Sequence, residues 1–268
     1  MTVGARDSLR EHWPEYLMEA WALGTFMIAA GVAATVLGSP VWPVSKAIAD
    51  ATLRNVLAGI GMGLTAVAII HSPWGKQSGA HMNPAVTVTF LRLGKTHAWD
   101  ALFYIVAQTL GGTLGVFLVA ALLGAAFTHP PVTYAATLPG PAGPAPAFIA
   151  EFVISGALMF VLLTFAASAR LAGFTGIAAG CLVALYISVE SPLSGMSMNP
   201  ARSFASAAPA GLWQHFWIYL SAPTLGMLMG AQLVLALRGA RRLACAKWLH
   251  PADTRCIHCG YEPSEPSY

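Results

Sequence analysis

The triplet Asn-Pro-Ala occurs twice, at Asn83-Pro84-Ala85 and at Asn199-Pro200-Ala201, 116 residues apart, the second followed at once by Arg202. Asn caps a helix by accepting backbone N–H bonds and Pro suits the first helical position, so each triplet reads as a helix start. Each lies between long apolar segments in a chain with few charges. Two such starts at matched places in two hydrophobic halves predict short helices that enter a membrane without crossing it. Irregular backbone is tolerated at that depth only where protein covers it or where it lines a water-filled path. The chemistry this arrangement offers is that of a permeation path. Opposed helix N-termini place partial positive charge at the centre of the path, and the amides of Asn83 and Asn199 can donate to the oxygen of a passing solute. A neutral hydroxylic molecule exchanges its water partners for those donors, whereas a cation loses hydration and meets two positive dipole ends. Arg202 is expensive near a membrane interior unless it lines an aqueous path or is paired.

The elements that must position these residues follow from composition. The chain has 268 residues, 56% hydrophobic and 9% charged, against about 25% charged in a soluble domain. An integral membrane protein is expected, and a net charge of +3 is too small to point to nucleic acid. The stretch from Thr2 to Glu15 is too charged for a signal peptide. Six segments reach the roughly 20 residues a spanning helix needs: Leu17–Leu37, Leu53–Ile70, Ala101–Phe127, Phe148–Ala169, Leu171–Val189 and Phe216–Leu237. Asn83–Leu93 and Asn199–Ala207 are too short to span and are the half-helices. The expected division is an N-terminal segment 1–16, a first repeat 17–127, a Pro-rich connection 128–147, a second repeat 148–238 and a Cys/His-containing tail 239–268. Gly111, Gly112, Gly115 and Gly124 suggest close helix packing in lipid.

The halves repeat one another. Glu19 with Gly24 matches Glu151 with Gly156, and the stretch from Tyr104 to Gly111 matches that from Tyr219 to Gly226. Three spans per half require the second copy to be inverted, which puts a pathway at the shared interface. With the N-terminus inside, 11 of 14 basic residues lie inside, Arg241 and Arg242 among them, and only Lys46, Arg54 and Arg202 outside. The positive-inside rule therefore puts both termini in the cytoplasm.

On the two Asn-Pro-Ala motifs, Arg202, and Glu19 and Glu151 at matching places, the chain resembles the aquaporin and glycerol-facilitator family, the major intrinsic proteins, over about Leu17 to Leu237. The resemblance implies an all-α membrane protein with six transmembrane helices and two re-entrant half-helices, a homotetramer with one pore per subunit in a plasma or inner membrane. The expected function is a passive channel for water and small uncharged solutes such as glycerol or urea, excluding ions and protons, with no cofactor required and no enzymatic activity. It implies that Glu19 and Glu151 accept backbone N–H groups of the re-entrant loops, that His81 packs the first loop, and that Met62, Ile187, Met196 and Arg202 form the selectivity constriction. Gly63 replaces Met62 if no gap is allowed before the first motif, where Ser72-Pro73-Trp74-Gly75-Lys76-Gln77 is longer than the usual family connection. Ile187 stands where strict water channels usually carry His. Ser203, Ala207 and Tyr219 resemble the water-channel pattern, and Leu220 departs from it by replacing Trp.

Two features point elsewhere. Inverted repeats and broken helices also serve ion- or proton-coupled transporters, which would need a coupling carboxylate in the pathway. In the tail, beyond the resemblance, Cys256 and Cys259 have the two-residue spacing of half a zinc site, which Cys245 and His250 could complete to four ligands.

Overall fold

The computed structural model describes residues 4–238 and 245–263. Arg241 and Arg242 of the charge tally therefore lie outside the described residues. The helices in chain order are α1 (Ala5–Gly38), α2 (Pro43–Ala47), α3 (Ala51–His71), α4 (Pro73–Ser78), α5 (Pro84–Arg92), α6 (Ala98–Leu123), α7 (Ala125–Thr128), α8 (Pro144–Ala166), α9 (Thr175–Ser194), α10 (Pro200–Ala210) and α11 (Phe216–Arg238). Among the described residues, α1, α3, α6, α8, α9 and α11 are long and apolar enough to cross a membrane, and α5 and α10 are the half-helices. Leu110, Leu114 and Leu122 of α6 are 60–72% exposed, an apolar surface suited to lipid.

The boundaries depart from expectation in several places, and α8 begins at Pro144, inside the expected connection and four residues before Phe148. Helix α1 begins twelve residues before Leu17 and carries its charged first turns, with Pro14 inside. Helix α6 stops at Leu123 because Gly124 has φ 54°, in a left-handed region open to glycine. Gly124 thus ends a helix and packs against nothing. Helix α9 starts at Thr175, after a short 3₁₀ turn at Ala172–Phe174, and runs through Pro192 to Gly195, which closes it in the left-handed conformation.

The two repeats close on glycine contacts. Helix α6 lies so near α1 that a Cβ on Gly111 would collide with the Ala20 carbonyl, and one on Gly115 would lie 2.5 Å from the Gly24 carbonyl. The second repeat reproduces this, with Gly226 of α11 against the Phe152 carbonyl and Gly230 against that of Gly156. Helices α3 and α9 join the repeats, where a Cβ on Gly59 would lie 2.5 Å from the Ala184 carbonyl and one on Gly63 would collide with that of Gly180. Lipid supplies little hydrophobic drive between helices, so close backbone approach holds them. Gly111→Leu and Gly226→Leu should therefore abolish the monodisperse detergent-solubilised peak in size-exclusion chromatography. Gly61→Leu, where a Cβ meets nothing within 4 Å, should leave that peak unchanged.

Candidate functional site

Each re-entrant loop is hung from one buried carboxylate. Glu19 accepts from the Ser78 hydroxyl at 2.8 Å, from the backbone N–H groups of His81 and Met82 at 2.9 and 2.7 Å, and from Gln108 at 2.8 Å. Glu151 accepts from the Ser194 hydroxyl at 2.6 Å and from Ser197 and Met198 N–H, both at 2.7 Å. Tyr104 and Tyr219 clamp the loop starts, donating to the carbonyls of Ser78 and Ser194 at 2.7 and 2.6 Å. The loops share a backbone path that no propensity scale would assign to their side chains. Ala80 and Met82 have φ 51° and 52°, and Met196 and Met198 have φ 50° and 53°. Left-handed conformation costs a non-glycine residue about 1–2 kcal/mol, and the carboxylate bonds offset it.

At the loop ends Asn83 and Asn199 cap α5 and α10 with their side-chain oxygens, accepting from Ala85 N–H at 2.8 Å and from Ala201 and Arg202 N–H at 3.0 and 3.2 Å. Pro84 and Pro200 occupy the first helical positions, and Ala85 and Ala201 are fully or almost fully buried. Each Asn amide also crosses to the other repeat. Asn83 Nδ2 donates to the Met198 carbonyl at 2.6 Å, and Asn199 Nδ2 to the Met82 carbonyl at 2.7 Å. An amide nitrogen has two hydrogens, so one remains on each for a solute. Both residues line a cavity of about 320 Å³ that reaches from Arg54 and Ser191 at one end to Ile70, His81 and Trp248 at the other.

Ile187, Met196 and Arg202 line this cavity, and Arg202 is fixed by donating to the Ala135 carbonyl at 2.8 Å. Met62 lines it too, whereas Gly63 faces α9. Gly59 abuts Ala184 and Ser188, which bracket Ile187, while Gly63 abuts Gly180 and Ala184. Helices α3 and α9 pack at these glycines, and Ala58, Met62, Val183 and Ile187 beside them all line the cavity. Between α3 and the first loop lies α4, capped by Ser72 Oγ accepting from Gly75 N–H at 2.9 Å. The cavity-facing stripe of α3 is Ala51, Arg54, Ala58, Met62, Ala66 and Ile70, spaced by three and four.

Half-helices meeting at two capping Asn residues, with a carboxylate behind each loop and an inverted repeat around them, match a known architecture. The major intrinsic protein family model matches residues 8–234. The chain belongs to the major intrinsic protein family. It is 34% identical to aquaporin NIP1-2 of Arabidopsis thaliana over 235 residues, 84% of this chain and 76% of that protein. It is 37% identical to aquaporin NIP3-1 of Oryza sativa subsp. japonica over 178 residues, 66% of this chain. The chain spans only 55% of the length of that rice relative. The X-ray structure of the aquaglyceroporin from Plasmodium falciparum superposes with a TM-score of 0.67 at 20% identity, covering 83% of this chain and 95% of that one. Membership in the major intrinsic protein family makes the chain an integral membrane protein of a channel family, not of an enzyme family.

The tail, outside the family match, folds back onto this body. The four ligand atoms of Cys245, His250, Cys256 and Cys259 lie within 4.8 Å of one another, a group that could hold a metal ion. Cys245 Sγ is 3.2 Å from Cys256 Sγ, and His250 Nε2 is 3.3 Å from Cys259 Sγ. The hydrogen bond from Cys245 is the main cause that lowers the Cys256 thiol to about 4, and it raises Cys245 in turn, together with burial. A thiolate is the metal-binding form. His81 joins the tail to the loop. Its Nε2–H donates to the Ala246 carbonyl at 2.7 Å, so its Nδ1 accepts from Thr87 Oγ1 at 3.1 Å. His258, held neutral chiefly by burial and then by His81, stacks on the His81 ring at 5.4 Å. No sequence signal pointed to the contacts of His81 with Ala246 and His258, which join residues more than 150 positions apart.

Proposed function

We propose that the protein is a passive transmembrane channel for water and small uncharged solutes such as glycerol or urea, closed to ions and protons. The observation that carries this is the pair of Asn-capped half-helices facing one cavity, each Asn keeping an amide hydrogen free. Helix dipoles and the Arg202 guanidinium oppose cations there. The coupled-transporter reading lacks its carboxylate. Glu19 and Glu151 are committed to the loops, and no acidic side chain lines the cavity among the described residues. The aquaporin relatives and the aquaglyceroporin likeness support the same reading.

The outer constriction is assigned to Met62, Ile187, Met196 and Arg202, all of which line the cavity, while Gly63 is turned against α9. Arg202 and the loop carbonyls supply polar contacts on one side, and apolar side chains face them. That suits a solute with CH groups on one edge and hydroxyls on the other. Ile187→His should narrow and polarise the wall and lower the glycerol-to-water permeability ratio, read by stopped-flow light scattering of proteoliposomes. An unchanged ratio would remove Ile187 from the constriction.

We infer further that the protein sits in a plasma or inner membrane as a homotetramer, with both termini in the cytoplasm. The ion pair of Arg255 with Glu15 at 3.0 Å ties tail and N-terminal helix to one face. The channel body runs as a first repeat 17–127 and a second 148–238, joined by 128–147, with 1–16 and 239–268 on the cytoplasmic side. Transport needs no cofactor, and the tail cluster takes zinc.

A further inference from the structure

Trp248 is only 3% exposed although it lies in the tail, beyond the spanning helices. Its ring packs on Phe90 of α5, centroids 5.0 Å apart, and it shares one apolar cluster with Ile70, Ala80, Val86 and Leu162. Those residues line, or adjoin, the inner half of the pore cavity, and Trp248 lines its end. Trp248 also lines a second cavity of about 430 Å³, bounded by His71, Lys76, Ala172 and the tail itself. The indole therefore stands between the pore and the space on the face that carries the tail.

The backbone on either side is fitted to the first loop. Trp248 N–H reaches the Gly79 carbonyl at 3.4 Å, and Ala246 accepts from His81. Gly79 has φ 100°, and a Cβ there would lie 2.8 Å from the Ala246 carbonyl, so only glycine admits the tail so close. Cys245 and His250 flank this segment by three and two residues. They meet Cys256 and Cys259, whose turn is closed by Gly260 N–H donating to the Cys256 carbonyl at 2.9 Å and by Cys256 N–H donating to Tyr261 at 2.8 Å. A tetrahedral zinc, with Zn–S near 2.3 Å and Zn–N near 2.0 Å, holds its ligands about 3.5 Å apart. Two of the observed separations, 3.2 and 3.3 Å, lie close to that value, and all four ligand atoms lie within 4.8 Å of one another. Three sulfurs and one imidazole are a donor set for a thiophilic divalent cation.

We propose that Cys245, His250, Cys256 and Cys259 bind one zinc-class ion, and that this clasp seats Trp248 as a plug in the cytoplasmic mouth of the pore. The proposal rests on the channel function and the tail metal site above, and adds what the site does. Metal loss frees both ends of the Cys245–His250 segment, and the indole leaves the mouth.

The test uses the full chain, the Trp248→Ala and Cys256→Ser variants, and a chain lacking 245–268, each in proteoliposomes. Metal content is read by elemental analysis and water permeability by stopped flow, with zinc alone as the added ligand. The full chain should carry close to one zinc. Trp248→Ala should keep the zinc and raise water permeability by roughly tenfold, the change for a pore closed about 90% of the time that becomes always open. Cys256→Ser and stripping of the full chain with a chelator should raise permeability alike, and added zinc should reverse only the stripping. Equal permeability of the full, Trp248→Ala and truncated chains overturns the plug. A zinc-free protein that neither binds added zinc nor responds to it, or one with a Cys245–Cys256 disulfide in place of metal, overturns the clasp. No water flux in any version, the truncated chain included, overturns the channel function beneath both.

Discussion

Glu151→Ala should abolish water permeability and remove most of the folded protein. The substitution orphans the N–H groups of Ser197 and Met198 and the Ser194 hydroxyl, all buried. Each buried donor left without a partner costs about 1–3 kcal/mol, against a stability of about 5–15 kcal/mol for a whole fold. Met196 and Met198 would also lose what holds them left-handed, and Asn199 would move with them. Glu151→Gln keeps an acceptor oxygen and should give an intermediate loss. Glu19→Ala should match it in the first repeat. Thermal unfolding in detergent and stopped-flow permeability check both, and a Glu151→Ala protein with unchanged melting and flux would refute the suspension of the loops.

The spans, the half-helices and the repeat were legible because strong local constraints write them. A bilayer demands about 20 apolar residues, and Asn-Pro marks a helix start wherever it lies. The carboxylates were legible because a buried Glu is rare enough to need a reason, and its copy 132 residues later doubles the signal. Helix α4 was not read as an element. Ser72-Pro73 is itself a helix-start pair, but the stretch it opens is only six residues long. Gly124 read like its neighbours Gly111 and Gly115, and only the chain path separates a terminator from a contact. Trp248 was hidden for another reason. Its place depends on a chain reversal and on contacts to Gly79 and Phe90, which no local pattern near Cys245 records.

Asn199→Asp should make the pore leak cations while still admitting water. One carboxylate oxygen can keep the cap on Ala201 and Arg202, so the half-helix persists. The lost amide no longer donates to the Met82 carbonyl, and a negative charge now faces the centre, where two helix dipoles had opposed cations. The barrier falls by at least the strength of a dipole–charge contact, about 0.3–1 kcal/mol in exposed settings and up to about 2 kcal/mol when partly buried, before the charge itself is counted. A drop of about 1.4 kcal/mol, inside that range, raises the leak about tenfold above wild type. Asn83→Asp should behave alike. Asn199→Ala, which removes the donors without adding charge, should lower water flux and stay ion-tight. Proton and potassium leak in dye-loaded liposomes separates these cases, and two Asp variants as ion-tight and water-permeable as wild type would move the selectivity centre away from the Asn pair.

The claim that the Asn-capped path conducts neutral solutes passively is tested most directly by osmotic stopped flow on proteoliposomes of the tail-truncated chain, with and without an imposed proton gradient and potential. Water permeability well above that of empty liposomes, unchanged by the gradient, together with glycerol or urea entry and no current, is the predicted result. Solute movement only when the gradient is present, with water permeability no higher than that of the lipid, would contradict it.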